Sequence, residues 1–252
     1  MGIYVDDMAP KDITAFSVFE ERFLRGLPQL DPVLDAYAAV ILSLYDHYDT
    51  LVANVILTAT FDFVNSTCME RTVECLPLVR EARRFPWYLR DQTGIGKPFA
   101  LFMFTKTSKI ALADFILAIP EMNYWICIIN DLLSFVPPSV LTRKITDIWP
   151  GRFYKEELAG ETGNYIHNRA YVENTTAIQV LADIEREAHE KRAVIQTILA
   201  KSPRAMELWQ IWERGYVLVL VVSEDHITYN TNFPCSAWHL DQDRYKLKDS
   251  GA

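Results

Sequence analysis

The sequence lacks a basic excess, and this absence excludes some kinds of partner. Among its 252 residues, 25 are Lys or Arg and 33 are Asp or Glu, which gives a formal net charge of −8. Nucleic acids and anionic membrane surfaces are bound by clusters of cations. The sequence therefore predicts neither partner, and an anionic ligand would have to be held by a local group of cations or by metal ions.

The sequence also lacks a signal peptide and a long apolar run near its C-terminal end. The first residues, MGIYVDDMAPKD, have neither a basic start nor an apolar core. The stretch GYVLVLVV at 215–222 is too short to cross a bilayer. We therefore expect no membrane span.

Cysteine is scarce, and its spacing matches neither a zinc site nor a redox motif. The four cysteines include no Cys-x-x-Cys pair, and Cys127 lies in the apolar stretch YWICIIN, which predicts a buried thiol. This pattern favours a reducing compartment, so we expect a cytoplasmic protein. The five histidines have no common spacing, and no Ser-His-Asp set is apparent.

Helical periodicity dominates what is present, and strand-like alternation is scarce. Half of the residues are hydrophobic, which is enough for one substantial core. Asp31 and Pro32, and later Ser202 and Pro203, are typical of helix starts, whereas Pro120 predicts a kink. We predict an all-α fold with a single domain over residues 1–252. The helical segments are 31–64, 108–135, 175–201 and 202–219.

Two segments do not fit the helical pattern. Residues 136–153 carry Pro137 and Pro138, and no α-helix continues undisturbed through such a pair. Residues 218–237 are β-branched and rich in turn-forming residues. Both interrupt helical sequence that would be continuous without them.

Three carboxylates lie close together near the start of the sequence. Asp6, Asp7 and Asp12 fall within seven residues, and carboxylate oxygens are ligands that Mg²⁺ prefers. The alternative interpretation is a solvated turn before a proline.

A second group of oxygen ligands surrounds the first irregular segment. Asn130 and Ser134 are four residues apart and share a helix face, and Glu156 follows the segment. An amide, a hydroxyl and a carboxylate could hold one Mg²⁺. The alternative is that the Asn and Ser side chains satisfy each other on a buried helix.

Cationic and phenolic groups suited to phosphate occur at two places. Arg90 precedes Gly94 and Gly96, which would let the backbone turn, and a guanidinium can bind phosphate oxygens bidentately. The alternative is a surface arginine. Arg244 and Tyr245 are adjacent near the C-terminus and form a weaker signal.

Taken together and in this order, these motifs resemble the trichodiene synthase family of fungal class I sesquiterpene cyclases. The similar text is EMNYWICIINDLLSF followed by YKEE, FPWYLRDQTGIG, and the pieces GYV, WHL and RYKL. The acidic DDMAPKD form is similar to that of longiborneol-type synthases. The resemblance implies a class I terpene synthase (isoprenoid synthase) helical bundle, N-terminally truncated and with two irregular inserts.

The resemblance also implies a role for each motif. Metal ligands would be Asp6, Asn130, Ser134 and Glu156, with Asp7 and Asp12 as supporting acids. Diphosphate-binding donors would be Arg90, Lys155, Arg244 and Tyr245. The implied cofactor is a cluster of three Mg²⁺ ions, the implied substrate is farnesyl diphosphate, and family members pair as homodimers. Candidates for lining an apolar cavity, with plain core as the alternative for each, are Phe61, Phe63, Tyr124 and Trp125.

The sequence departs from the family pattern in two respects. Asp6 has only five residues before it, and 22 residues separate Ser134 from Glu156 instead of four. We interpret the inserts as translated introns and Met1 as a misassigned start, with functional surface loops as the alternative to introns. We therefore expect weak or no cyclase activity from this chain as written.

Two other functions compete with the cyclase. Chain-elongating prenyltransferases use two aspartate-rich motifs, whereas the second motif here has Asn130 and Ser134. The other rival is a non-catalytic helical protein, either a degraded or misassembled copy or a binding module.

Overall fold

The computed structural model describes residues 2–9, 11–73, 76–135 and 163–222. Within these ranges the chain is helical and has no β-strand, so the predicted all-α class is confirmed. Three short 3₁₀ turns lie between α7 and α8. The α-helices are α1 (Gly2–Met8), α2 (Ile13–Ser17), α3 (Phe19–Leu24), α4 (Pro32–His47), α5 (Thr50–Val73), α6 (Phe85–Thr93), α7 (Gly96–Phe102), α8 (Ile119–Phe135), α9 (Tyr165–Glu173), α10 (Ala177–Leu199) and α11 (Pro203–Val222).

The helix starts that the sequence predicts from proline and its preceding cap occur where expected. Asp31 caps α4, because its carboxylate accepts hydrogen bonds from the backbone N–H groups of Val33 and Leu34 at 2.7 and 3.3 Å. Pro32 follows in the first turn, where a missing N–H costs nothing. Pro203 begins α11 in the same way.

The predicted helix over 108–135 is wrong in its first third. Residues 106–118 form three 3₁₀ turns, and the α-helix begins only at Ile119. Pro120 therefore lies in the first turn of α8 and does not kink a longer helix. The physical reason is that proline lacks the N–H that would bond the preceding turn, and its ring collides with that turn's carbonyl.

Two helices organise the packing. Helix α5 contacts α1, α2, α4, α6 and α7, whereas α8 contacts α6, α7, α10 and α11. Helices α6 and α7 thus join the two. The middle of α8 is deeply buried: Met122, Ile126, Cys127 and Ile128 have no exposed surface. This burial fixes the position of the polar residues one turn further along α8.

Two helical stretches, Thr50–Val73 and Ile116–Leu133, are long and apolar enough to cross a membrane by length and composition alone. Inside the fold, 61% of the apolar window of the first and 44% of the second are buried. The core helix of a folded bundle meets the same criteria, so these stretches are weak evidence for a span. The absence of a membrane span stays a prediction.

The two predicted inserts lie largely outside the described residues. Nothing is described for 136–153, and the second insert is described only at its beginning. There, α11 continues to Val222, so the first residues of the 218–237 segment are helical.

Candidate functional site

Arg90, on α6, binds to α8 through four oxygen atoms. Its Nε donates to both carboxylate oxygens of Asp131 at 2.8 Å, and its Nη2 lies 2.7 Å from Asp131 Oδ1. Nη2 also donates to the Cys127 carbonyl at 3.1 Å and to Asn130 Oδ1 at 3.2 Å. The structure therefore brings together two of the predicted site residues, Arg90 and Asn130.

The Arg90–Asp131 pair is buried and charged. The two side chains are only 13% and 15% exposed. Burial alone would lower the pKa of the Arg90 guanidinium, but the Asp131 charge and hydrogen bonds outweigh it, and the Arg90 pKa is raised. Burial raises the pKa of the Asp131 carboxyl, and Arg90 opposes this effect. Arg90 is thus a permanently charged group and not the surface arginine of the alternative interpretation.

The corner between α6 and α7 packs closely against α8 at two glycines. A Cβ on Gly94 would lie 2.5 Å from the Cys127 sulfur and 2.7 Å from Arg90 Nη1. A Cβ on Gly96 would lie 2.8 Å from the Asn123 carbonyl oxygen. These glycines are therefore required for close approach of the backbone.

The backbone does turn at Gly94, between α6 and α7, but neither glycine has a left-handed backbone. The residue with a left-handed backbone at this corner is Ile95, at φ 48°. A branched side chain in that region is strained, and such strain concentrates at functional sites.

A second polar network lies two helical turns before Asn130 on the same face of α8. Asn123 donates to Asp91 Oδ1 at 2.5 Å, and Lys97 donates to Asp91 Oδ2 at 3.1 Å. Burial raises the pKa of the neighbouring Cys127 thiol to about 11, so this thiol is protonated and unreactive at neutral pH. The predicted buried thiol at Cys127 is confirmed.

Tyr216, on α11, completes the surroundings of Arg90. Its hydroxyl donates to the Ile126 carbonyl at 3.4 Å, and its ring stacks on Trp212 with centroids 4.8 Å apart. The phenol is near enough to act electrostatically on the Arg90 guanidinium. Tyr216 belongs to the GYV piece of the resemblance, but the sequence did not single it out as a site residue.

The acidic motif near the start occupies a helix and its following turn. Asp6 lies on α1 and is exposed. Asp12 caps α2: its carboxylate accepts a hydrogen bond from the Thr14 N–H at 3.0 Å, which lowers the Asp12 pKa. For Asp12 this geometry matches the solvated-turn alternative. Helix α1 contacts α5, and α5 contacts α6, which carries Arg90.

The remaining predicted site residues are only partly described or not at all. Ser134 lies in the last turn of α8, four residues after Asn130, where the same helix face is expected. The metal-ligand and diphosphate-donor roles assigned to these positions stay predictions. The residues that lie outside the described ranges are Lys155, Glu156, Arg244 and Tyr245.

Asp131 is the site residue that sequence reasoning missed. The sequence contained two clues to Asp131. It directly follows the predicted ligand Asn130, and Arg90 follows the apolar stretch FPWYL, where a buried guanidinium needs a carboxylate partner. The sequence alone does not say which of its 33 acids fills that role.

The candidate aromatic residues pack in two different environments. Phe61 lies 5.0 Å from Phe23, centroid to centroid, in a core cluster, as the plain-core interpretation predicts. Trp125 lies 5.3 Å from Trp209, on the side of α8 that faces α11. Tyr124 packs against Trp87, with ring centroids 4.5 Å apart and the planes tilted by 50°.

The oxygen donors on α8 have the chemistry that Mg²⁺ requires. Among the described residues no group of three or more His, Cys, Asp or Glu could hold a metal ion. Hard cations, however, also accept amide and hydroxyl oxygens. Asn130 presents an amide oxygen to the same space as the Arg90 guanidinium, and Ser134 would add a hydroxyl. A Mg²⁺ site on α8 stays a prediction, because its carboxylates would have to come from outside the described residues.

The described part of the chain is an all-α bundle with a buried arginine–aspartate pair between two of its helices, and comparison with known proteins names its family. The model of the trichodiene synthase (TRI5) family matches residues 1–139, more than half of the chain. The chain belongs to the trichodiene synthase family.

Similar curated proteins are fungal terpene synthases. Terpene synthase BipA of Cochliobolus sativus is 31% identical over 229 residues, which cover 88% of this chain and 64% of the relative. Monoterpene synthase 25 of Postia placenta is 28% identical and covers 98% of the chain and 63% of the relative. Longiborneol synthase of Gibberella zeae is 29% identical and covers 79% and 55%. The chain thus spans somewhat less than two thirds of the length of these relatives.

Proposed function

We propose that this protein is a class I terpene synthase that ionises farnesyl diphosphate with Mg²⁺ and cyclises the resulting carbocation to a sesquiterpene hydrocarbon or alcohol. The observation that carries the proposal is the convergence of Arg90 and Asn130 at 3.2 Å on two helices of a trichodiene synthase family member. Departure of a diphosphate needs cationic donors and metal ligands near the same leaving group, and this pair would place one of each side by side. The relatives bear the names of terpene synthases, which supports a prenyl diphosphate as substrate.

Each residue contributes through its own chemistry. Mg²⁺ would be held by Asn130 and Ser134 on α8, with Asp6 and Glu156 as carboxylate ligands. Bound there, Mg²⁺ supplies Lewis-acid neutralisation of the leaving diphosphate. Terpene synthases generally use this metal, and we propose a cluster of three ions.

The cationic donors bind the leaving group. Arg90 is charged at every relevant pH, and its planar fork suits phosphate oxygens. Lys155, Arg244 and Tyr245 would add further donors. Departure of the diphosphate leaves an allylic carbocation, and the protein needs no nucleophile, because stabilisation of the developing charge is sufficient.

The buried aromatic side of α8 would protect the cation. Trp125, Trp209 and Tyr216 form a continuous group of rings between α8 and α11. Ring faces attract positive charge, and an apolar surface excludes the water that would quench the cation early. We further propose a cytoplasmic location and a homodimer.

The test is incubation of the purified chain with farnesyl diphosphate and Mg²⁺, followed by gas chromatography and mass spectrometry of the volatiles. A version lacking both inserts is assayed beside it. Product from the second version alone would support the interpretation that the inserts impair activity. No product from either would refute the cyclase. An elongated diphosphate formed when isopentenyl diphosphate is added would favour the prenyltransferase.

In whichever version is active, Arg90→Met should lower kcat about a hundredfold, the loss typical of removing one group that stabilises developing charge. Arg186→Met is the matched control, because Arg186 is 59% exposed and, within the described ranges, forms ion pairs with Asp183 and Glu190 of its own helix. Equal kcat values for the two variants would remove Arg90 from the mechanism.

A further inference from the structure

A small cavity lies where α6, α8 and α9 meet, and its lining contains none of the residues assigned to metal or diphosphate. Its volume is about 240 Å³. Three aromatic side chains form its apolar part, one from each helix: Trp87 of α6, Tyr124 of α8 and Tyr165 of α9. A cavity of this size is smaller than the pockets that hold drug-sized molecules, so it suits a ligand of one or two fused rings.

The three aromatic side chains hold one another in place and offer ring surface. The Trp87 and Tyr124 ring centroids lie 4.5 Å apart, and Trp87 meets Tyr165 edge to face at 6.0 Å. The Tyr124 hydroxyl donates to Glu187 at 2.6 Å. The Tyr165 hydroxyl accepts from Arg169 at 3.5 Å. Because both hydroxyls are already bonded, this lining favours an aromatic ligand over a sugar or another polyol.

The charged side chains of the lining leave one arginine available to a ligand. Arg169 is only 14% exposed, and its nitrogens are bonded to Glu173, Glu187 and the Tyr165 hydroxyl. Arg83 is exposed and forms no hydrogen bond or ion pair with any residue in the described ranges. A guanidinium can bind a carboxylate through two parallel hydrogen bonds. Arg83 is therefore the group that would bind an anion at this cavity.

A cationic ligand does not fit the same lining. Aromatic rings also attract positive charge, but Arg83 and Arg169 would repel it. The carboxylate of the lining, Glu173, is already paired with Arg169 at 2.9 Å. An ammonium ligand of the same shape is thus a matched negative control for an aromatic anion.

We propose that this cavity is a second binding site, for a small aromatic carboxylate whose rings pack among the three aromatic side chains and whose carboxylate pairs with Arg83. The site is separate from the predicted catalytic centre, because Tyr124 precedes Asn130 by about 9 Å along α8 at 1.5 Å per residue. The inference therefore goes beyond the proposed function and does not depend on it. A bound ligand would contact α6, α8 and α9 at once and would stabilise the folded protein.

Isothermal titration calorimetry of the full chain with 2-naphthoate tests the site. Arg83→Gln should weaken binding about tenfold, because a hydrogen bond between two charged groups is lost. Arg84→Gln is the matched control, since Arg84 is the next residue and is equally exposed but does not line the cavity. It should leave the affinity unchanged. Arg83→Lys should recover part of the affinity, because it keeps the charge without the planar fork.

Two further ligands separate the contribution of charge from that of the rings. The 2-naphthylmethylammonium ion has the same rings and the opposite charge, and it should not bind measurably. Decahydro-2-naphthoate keeps the charge but has saturated rings, and it should bind several-fold more weakly than 2-naphthoate.

Three outcomes would overturn the inference. One is equal affinity of the unaltered chain and Arg83→Gln, with both folded by circular dichroism. Another is an equal loss in Arg84→Gln, since the ligand would then respond only to the general charge of the surface. The third is that 2-naphthoate shows no binding at millimolar concentration. Terpene product assays do not enter these titrations, so a failure of the proposed function is distinguishable from a failure here.

A measurement on the unaltered chain covers the case in which Arg83→Gln does not fold. Binding to the folded state raises the Tm, so 2-naphthoate should raise it and 2-naphthylmethylammonium should not. Equal Tm shifts with the two ligands would contradict the inference, because the cavity would then not distinguish an anion from a cation.

Discussion

Two buried arginines in this protein have similar geometry and different surroundings. Arg90 pairs with Asp131 between α6 and α8, and Arg169 pairs with Glu187 between α9 and α10. The side chains are 13% and 14% exposed, and the closest nitrogen–oxygen distances are 2.7 and 2.8 Å. Burial would lower both arginine pKa values, but carboxylate contacts raise them.

The difference lies in how completely each guanidinium is bonded. All three Arg169 nitrogens donate to carboxylates, Nε to Glu173 and the other two to Glu187, which also accepts the Tyr124 hydroxyl. Those contacts outweigh burial and lower the Glu187 pKa. Burial instead raises the Asp131 pKa, and Arg90 Nη1 has no hydrogen bond within the described ranges. All three nitrogens of Arg169 thus bond carboxylates, whereas Arg90 leaves Nη1 packed against Gly94 without a hydrogen bond in the described part of the chain.

The largest expected effect is on stability when each arginine loses its charge. Arg169→Gln should lower the free energy of unfolding by about 3 kcal/mol, because it leaves two carboxylates facing each other in a partly buried site. Arg90→Gln should cost less, about 1 to 2 kcal/mol, because Asp131 can take up a proton and still bond the amide. Urea denaturation measures both. Equal losses would mean that the two pairs do not differ in kind.

A smaller effect is expected from filling the space beside Arg90. Gly94→Ala should destabilise the fold by about 1 to 3 kcal/mol, since its Cβ would overlap the Cys127 sulfur and Arg90 Nη1. The control is Gly215→Ala in α11, where a Cβ meets nothing within 4 Å. That substitution should stabilise the helix by about 0.5 to 1 kcal/mol. A neutral Gly94→Ala would show that close approach at this corner is unimportant.

The smallest effect is a dependence of stability on pH that has opposite signs at the two pairs. Because the Glu187 pKa is below its ordinary value of 4.5, its stabilisation is present above that value and is lost as pH falls below it. Because the Asp131 pKa is raised above 3.8, its contribution is present below 3.8 and is lost as pH rises through the folded-state pKa.

Thermal unfolding at neutral and acidic pH checks the signs. The Tm gap between the unaltered chain and Glu187→Gln should narrow on acidification. The Tm of the unaltered chain relative to Asp131→Asn should rise over the same range. Parallel changes in the two variants would contradict the opposite directions of the Glu187 and Asp131 pKa shifts.

The helix ends show which local features can be predicted from sequence. A proline in the first helical turn acts through its own backbone chemistry. The helix starts at Pro32, after its cap Asp31, and at Pro203 can therefore be predicted from the sequence. The segment 108–118 is not, because its apolar spacing fits a helix while Pro120 prevents one from continuing into α8. In the folded protein this segment forms 3₁₀ turns instead of an α-helix.

The site shows a similar division. Arg90 and Asn130 were identified from their residue types and the surrounding text, and they do lie together. Asp131 and the close approach at Gly94 were missed, because both depend on which helix packs against α6. Side chains 41 positions apart in the chain meet only when that packing exists.

By itself, the sequence determined the helical class, the caps, the family and the candidate ligands, since each follows from local residue chemistry or from motif text. Only the tertiary structure shows that the Arg90 side chain is buried and not on the surface. Only the tertiary structure shows that Arg90 donates a hydrogen bond to the Asn130 amide oxygen. Burial and a hydrogen bond between helices are properties of two helices in contact. They arise when α6 packs on α8, and no single segment contains them.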